Sequence, residues 1–438
     1  MGTYIPHTKE DQALMLSSIA QTWDSLLSTI PDNVRLKREL NLPDGLSEFE
    51  VFQIMKNYAS QNVVFNTILR GAGAYDHYIP SVVKHLSARE EFVTAYTPYQ
   101  SELSQGILQS IFEFQSMIAS LTGMDAANAS VYDGATAAAE AISMSYERGR
   151  RTVLLSNALH PETIEVIRTY VQELDVTIKM IELNDGQTSV ESLKEHLDDT
   201  VCAVLVQHPN YFGILEDVSS IRQSITDSKV KFIVSVNPMT LGRLAHPGSY
   251  GADIVVGEAQ PFGLNLAFGG PYLGFMCTSD KYVRRLPGRI VGQTLDSEGQ
   301  RAFTLTLQAR EQHIRREKAT SSICSNQAHC ALTAAMYLSS IGPVGLKEVA
   351  TQCANKAHTL ARKLESIGYK LTYPREFFHE FVTTTPVSTS LIESSLAKHG
   401  ILSGLILDDK HMLWCVSETS SDQKLDDIVT MLAEVNHG

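Results

Sequence analysis

Apolar residues follow two different rhythms along this chain, and the change comes near residue 128. Over the first sixty residues they recur at helical intervals. Leu14, Ile19, Trp23, Leu26 and Leu27 share one broad face and predict a helix over 11–27, and a second helix is expected after Pro43. From 128 onward, short apolar runs alternate with amphipathic stretches. The runs at 151–156, 176–183, 201–207, 231–236, 252–257 and 272–278 read as strands. Helices are expected between them at 135–147, 161–174, 190–197 and 218–225. Runs this continuous fit a parallel sheet buried on both faces, hence an α/β fold. A helix-rich bridge at 305–366 leads to a β-α-β-β-α tail at 379–435. The expected organisation is a helical arm (1–70), a large α/β domain (71–310), and a bridge with a small α+β domain (311–438).

Composition narrows the function classes. At 438 residues, with 43% hydrophobic and 19% charged positions, the chain is an ordinary globular protein rather than a disordered or collagen-like one. Its 36 basic residues against 49 acidic ones give a net charge of −13 and form no long basic run, so no nucleic-acid partner is expected. Six cysteines without a C-x-x-C pair argue against a disulfide framework or a zinc site, and no metal is expected. Cys324, His329 and Cys330 come nearest to a ligand cluster, but buried free thiols are the better reading. No signal peptide or membrane-length apolar run is visible, and the expected location is the cytoplasm.

Four segments stand out chemically. Asp133, Gly134, Ala135 and Thr136 open the alanine-rich helix: Asp133 is placed to cap it, and the next residues offer backbone N–H groups to an anion. A phosphate cradle and an ordinary capped turn both fit, and from the segment alone the capped turn is the stronger reading. Gly71–Ala74 lacks the strand and third glycine of a dinucleotide fingerprint. Tyr96, Tyr99, Gln100, Glu102 and Gln105 crowd polar groups around Pro98, either as a ligand-contacting wall or as a rigid brace. Gly257–Gly274 carries enough glycine to require close backbone approach by a ligand, another chain or the protein itself. Its apolar residues Phe262, Leu264, Leu266, Phe268 and Tyr272 also suit a subunit interface. His313 and Glu317 read as a surface pair one helical turn apart, within a basic cluster of Arg310, Arg315, Arg316 and Lys318. No G-x-S-x-G, H-E-x-x-H or Walker motif is present.

Several of these stretches, read together, carry a resemblance. RGAGAYDHYIP (70–80), TAYTPYQSELSQG (94–106), MDAANASVYDGATAAAEA (124–141), LPGRIVGQTLDSEGQRAF (286–303) and REQHIRREKATSSIC (310–324) resemble the P-protein of the glycine cleavage system. The likeness is to the first subunit of the form that many bacteria split in two. It implies a fold-type I, pyridoxal-phosphate-dependent architecture: a three-layer sandwich with a mainly parallel sheet. It also implies decarboxylation of glycine, release of CO2, and transfer of the aminomethyl group to the lipoyl arm of H-protein.

The chain departs from that pattern where the cofactor is normally held. Aligned on Gly251–Asp253, the Schiff-base lysine slot falls at Gln260 or Pro261, and no lysine lies between Lys231 and Lys281. Strand 231–236 ends in Asn237-Pro238, where an aspartate normally holds the pyridinium proton. The resemblance therefore implies that pyridoxal 5'-phosphate is bound by a lysine-bearing second subunit, in an α2β2 assembly. This chain is expected to have no catalytic residue of its own. It would lend Tyr96, Tyr99, Gln100 and Glu102 as walls of the partner's site and keep Asp133, Gly134, Ala135 and Thr136 as a relict phosphate loop. Ser322 and His329 stand where the family typically has Asn and Leu. Two other readings are a scaffold or regulatory subunit, and an autonomous enzyme using Lys281 or Lys318.

Overall fold

The computed structural model describes residues 7–437 and divides into two compact units, one up to Val63 and one from Val64 onward. In the first unit, helices α1 (Lys9–Ser18), α2 (Trp23–Leu26) and α3 (Glu48–Ala59) each begin at a capping box, set by Thr8, Thr22 and Ser47. The single helix expected over 11–27 is two. Ala20 takes φ 52°, a left-handed conformation that a helix cannot continue through, and Thr22 restarts it. None of the three helices buries a residue: Leu14 is 68% exposed, Trp23 56% and Phe49 71%.

The second unit is built on seven strands. They are β1 (Ala126–Ala127), β2 (Thr152–Ser156), β3 (Thr177–Ile181), β4 (Val201–Gln207), β5 (Lys231–Val236), β6 (Ile254–Glu258) and β7 (Gly274–Thr278), ordered β1-β7-β6-β5-β4-β2-β3. Strands β3, β2, β4, β5 and β6 run parallel, while β7 is antiparallel to both β6 and β1. Successive side chains on a strand point to opposite faces, and both faces are dry. Leu154, Val204, Val234 and Phe275 join one core, with Phe114 and Ile118 of α4 (Gln105–Thr122). Val153, Leu205, Ile233 and Met276 join the other, with Ala138 and Ile142 of α5 (Gly134–Ser145) and Ile167 of α6 (Pro161–Val171). Two-sided burial is why these strands read as unbroken apolar runs. The result is a three-layer sandwich with a mainly parallel sheet, and the remaining crossover helices are α7 (Val190–His196) and α8 (Val218–Ser224).

Residues 290–306 form a hairpin that the apolar pattern did not announce, β8 (Ile290–Leu295) against β9 (Arg301–Thr306). A long helix, α9 (Ala328–Glu365), breaks at Gly342, with φ 61°, immediately before Pro343. Its first half packs in the large core and its second half in the small one, through Ala357, Leu360 and Leu364. The small domain is an antiparallel sheet of β10 (Lys370–Leu371), β11 (Glu380–Thr384), β12 (Leu405–Ile406) and β13 (His411–Cys415), in the order β10-β11-β13-β12. It is covered by α10 (Thr389–Lys398) and α11 (Asp422–His437). Among the described residues, no helix is long and apolar enough to cross a membrane.

Candidate functional site

In an open α/β sheet, ligands bind beyond the carboxyl ends of the parallel strands. There the structure opens a cavity of about 750 Å3, walled by Gln207 at the end of β4, Asn237 after β5, Glu258 of β6, the start of α5 and the loop 72–75. Asn237 turns its amide oxygen back to the Met239 N–H at 3.0 Å and its amide nitrogen towards His379 Nε2 at 3.5 Å. His160 reaches across the cavity wall to the Ala72 carbonyl, 2.9 Å from its Nε2.

The start of α5 is engaged from within the chain. Asp133 caps it as expected, accepting the Thr136 N–H at 2.7 Å. The free N–H groups expected next to it are not all free. Glu258 Oε2 accepts from Gly134 at 3.0 Å, and Glu258 Oε1 accepts from Leu273 at 2.7 Å and Gln260 at 3.0 Å. A carboxylate with three backbone donors occupies the positive end of the helix, where an external anion would sit. Burial pushes the Glu258 carboxyl up to about 7 in spite of those donors, and the charge of Asp133 adds to the rise. The glycines are required here. A β-carbon on Gly274 would lie 2.1 Å from the Asp133 carbonyl, and one on Gly134 3.0 Å from the Glu258 side chain. The close approach implied by 257–274 is, at these positions, the protein meeting itself. Phe262 is likewise core, stacked on Tyr337, whereas Phe268 is 98% exposed.

Gln260 is fully buried. Its Oε1 accepts the Tyr75 N–H at 2.8 Å, and its Nε2 donates to the carbonyls of Tyr75 at 2.9 Å and Leu264 at 2.8 Å. Tyr75 in turn donates its hydroxyl to Glu380 at 2.8 Å, and the other Glu380 oxygen accepts from the Ala72 N–H at 2.7 Å. Burial raises Glu380 to about 7 and lowers neighbouring His379 to about 3. Next to it, Glu418 accepts from the Tyr78 N–H at 2.7 Å and lies 2.7 Å from His77 Nδ1. Desolvation is the largest influence on the Glu418 carboxyl and raises it, but the bond and charge of His77 and the backbone N–H bonds together outweigh it, and the net shift is downward. His77, Glu418 and Cys353 bring one donor atom each within 4.8 Å of one another. None of these groups follows a local motif, so sequence reasoning passed over Tyr75, Glu258, Glu380 and His160. The only signal was the density of Gly and Tyr in 70–80.

The remaining predicted residues lie elsewhere. Tyr96 is 82% and Tyr99 56% exposed, Gln100 and Glu102 are exposed too, and none of the four lines the 750 Å3 cavity. Tyr96 borders a second cavity of about 460 Å3, with Arg289 and His329 in its wall. Lys281 lies over the Tyr282 ring and Lys318 is exposed, and neither borders the first cavity. Cys324 is exposed rather than buried, unlike the other five cysteines. The surface pair expected between His313 and Glu317 does not form. The short helix ends at Arg315, Arg316 takes φ 54°, and His313 faces Glu311 at 3.8 Å instead. Arg310 turns inward to the Gly288 carbonyl at 2.6 Å, leaving Arg315, Arg316 and Lys318 exposed.

This sheet order, the cleft at its carboxyl edge and the small C-terminal domain define the fold-type I architecture of pyridoxal-phosphate-dependent enzymes. An aspartate aminotransferase of Thermus thermophilus shares the fold at a TM-score of 0.61 and 15% identity, over 85% of this chain and 99% of that one. A much nearer match is a crystal structure of glycine decarboxylase (P-protein) of the glycine cleavage system in inhibitor-bound form. It has a TM-score of 0.91 and 39% identity, over 99% of this chain and 100% of that one. Residues 2–432 match the glycine cleavage system P-protein family. A probable glycine dehydrogenase (decarboxylating) subunit 1 of Desulforamulus reducens is 49% identical over 99% of this chain and 100% of its own length. One from Bacillus cytotoxicus is 45% identical over 99% of each. The chain belongs to the glycine cleavage system P-protein family and aligns end to end with its subunit 1 members.

Proposed function

We propose that this chain is the subunit of a split P-protein that does not hold the cofactor. With a lysine-bearing second subunit, in an α2β2 assembly, it decarboxylates glycine, releases CO2 and passes the aminomethyl group to the lipoyl arm of H-protein. The observation that carries this reading is Gln260. In the lysine slot stands an amide whose acceptor and donor are both spent on backbone groups of Tyr75 and Leu264. The rest of the cleft agrees. Asn237 offers no negative charge to a ring nitrogen, and at the start of α5 the Glu258 carboxylate takes the Gly134 N–H while Asp133 takes that of Thr136. These residues do not fit pyridoxal phosphate.

The chain's part in the reaction is then to complete the partner's site. Tyr96, Tyr99, Gln100 and Glu102 are exposed on one segment, and Arg289 Nη2 donates to the Tyr99 hydroxyl at 3.1 Å, which orients that ring. We assign these four residues to the wall facing the partner. Residues 7–63 support the same view: helices with no core of their own need a surface to bury against, and we assign that surface to the second subunit. The exposed cations Arg315, Arg316 and Lys318 are the proposed dock for H-protein. Purified alone, the chain releases no CO2 from glycine, and adding the second subunit starts turnover. Replacing Tyr99 or Glu102 by Ala in that complex lowers turnover. Unchanged turnover and unchanged lipoyl acceptance would remove the wall assignment and leave a scaffold.

A further inference from the structure

His77, Cys353 and Glu418 meet where three segments join. His77 lies on the segment 70–80, Cys353 on the second half of α9, and Glu418 just beyond β13. Glu418 Oε2 lies 2.7 Å from His77 Nδ1 and accepts the Cys353 thiol at 3.4 Å, and one donor atom of each residue lies within 4.8 Å of the others. Cys353 is fully buried, His77 is 7% exposed, and the Glu418 side chain is 10% exposed. Spacing along the chain does not announce the group, because Glu418 stands 341 residues from His77 and 65 from Cys353.

The carboxylate lacks a permanent cation. Its Oε1 accepts from the Tyr78 N–H, and among the described residues no lysine or arginine forms an ion pair with it. Lys356 donates instead to the Glu418 backbone carbonyl, at 2.6 Å. A buried carboxylate is costly unless a positive charge meets it. The donor set is also chemically selective. One thiol, one imidazole nitrogen and one carboxylate oxygen are the ligand types of zinc, which takes them at about 2.0–2.3 Å. A zinc ion with one thiolate and one carboxylate carries no net charge, the form in which these groups are buried together at least cost.

We propose that His77, Cys353 and Glu418 bind one zinc ion. The ion takes the place of the hydrogens now shared with Glu418 Oε2, and the three donors spread slightly to meet it. The Cys353 thiol gives up its proton to solvent, while His77 stays neutral, ligating through Nδ1 with its proton on Nε2. Three protein ligands leave the fourth position to water. The ion pins segment 70–80 to α9 and the small domain. That segment carries Tyr75, which Gln260 holds, and its residues 72–75 wall the 750 Å3 cavity. The side chains are nearly closed to solvent, so zinc enters as the chain folds. All three ligands belong to this chain, so the site does not rest on the partner reading.

The test is the metal content of the full-length chain, expressed with added zinc, purified and dialysed, together with X-ray absorption at the zinc edge. About one zinc per chain is expected, with a single sulfur in its shell and the rest nitrogen and oxygen. Cys353→Ser and His77→Ala should each lose most of the zinc on dialysis. Cys324→Ser removes the exposed thiol, where zinc could bind adventitiously, and should change neither the content nor the shell. If the buried substitutions fail to fold, the parent and Cys324→Ser still decide. Expressed with cobalt in place of zinc, both should show a thiolate-to-cobalt charge-transfer band. A parent with far less than one zinc per chain, a zinc without sulfur in its shell, a metal lost with Cys324→Ser, or zinc retained in a folded Cys353→Ser overturns the proposal.

Discussion

The side chain of Gln260 forms both hydrogen bonds of a backbone pair with Tyr75, accepting from its N–H and donating to its carbonyl. Only an amide does this: a lysine has no acceptor and a glutamate no donor. Gln260→Lys therefore strands the Tyr75 N–H and buries an ammonium, and the expected cost is about 2–4 kcal/mol of stability. Thermal unfolding of the purified variant checks this. A variant as stable as the parent would mean that Gln260 holds nothing in place.

Glu258 serves three backbone donors on three segments, at Gly134, Gln260 and Leu273. Glu258→Ala should destabilise by about 2 kcal/mol or more, since each stranded N–H carries its own desolvation penalty. Urea titration reads the loss directly. Asp133→Ala removes only the helix cap and should cost about 1 kcal/mol.

Glu140 lies on the buried face of α5, 4% exposed, and burial raises its carboxyl from 4.5 to about 7, although a bond from Ser321 opposes the rise. A folded-state value above the unfolded one gives a contribution present in full below pH 4.5 and lost as pH rises through 7. Glu140→Gln removes that titration. The variant should be more stable than the parent at pH 8, by about 1–3 kcal/mol, and close to it at pH 5. Urea midpoints at the two pH values test the sign. An equal difference at both would show that Glu140 does not titrate in this range.

Much of the second unit was legible because burial on both faces leaves unbroken runs such as 201–207 and 231–236. The arm was less so: nothing in its apolar spacing marked Ala20 as a break, because the left-handed turn is a backbone event. Hairpin 290–306 was missed because its residues alternate weakly, and Gln105 bonds it from α4 through backbone groups of Phe303. At the site, the resemblance made the absence of a lysine at 260 visible. What Gln260 holds there was not visible, since Tyr75 and Gln260 are far apart in the chain. Likewise, Asp133 was legible as a cap because capping is local, whereas Glu258 reaches α5 only through the sheet.

The arm gives a prediction about assembly. Exposed apolar residues of this arm, such as Trp23 and Leu40, should be cleaved readily in the isolated chain. Limited proteolysis should cut within 19–46 first, and adding the second subunit should slow it several-fold. Cleavage at an unchanged rate would place the subunit contact elsewhere.

The exposed cations at 315, 316 and 318 predict a salt-sensitive encounter with H-protein, if its docking face is acidic. The apparent KM for H-protein should rise with ionic strength, and charge reversal at Arg315 and Lys318 should remove that dependence. A flat salt response would count against this dock.

The central claim is that this chain carries no cofactor of its own. The direct measurement is to incubate the purified chain with pyridoxal phosphate, treat it with borohydride, and map any modified lysine by mass spectrometry. No stoichiometric adduct on a single lysine is expected, while the second subunit under the same treatment acquires one. A stoichiometric adduct on one lysine of this chain would contradict the account and make it a cofactor-bearing enzyme in its own right.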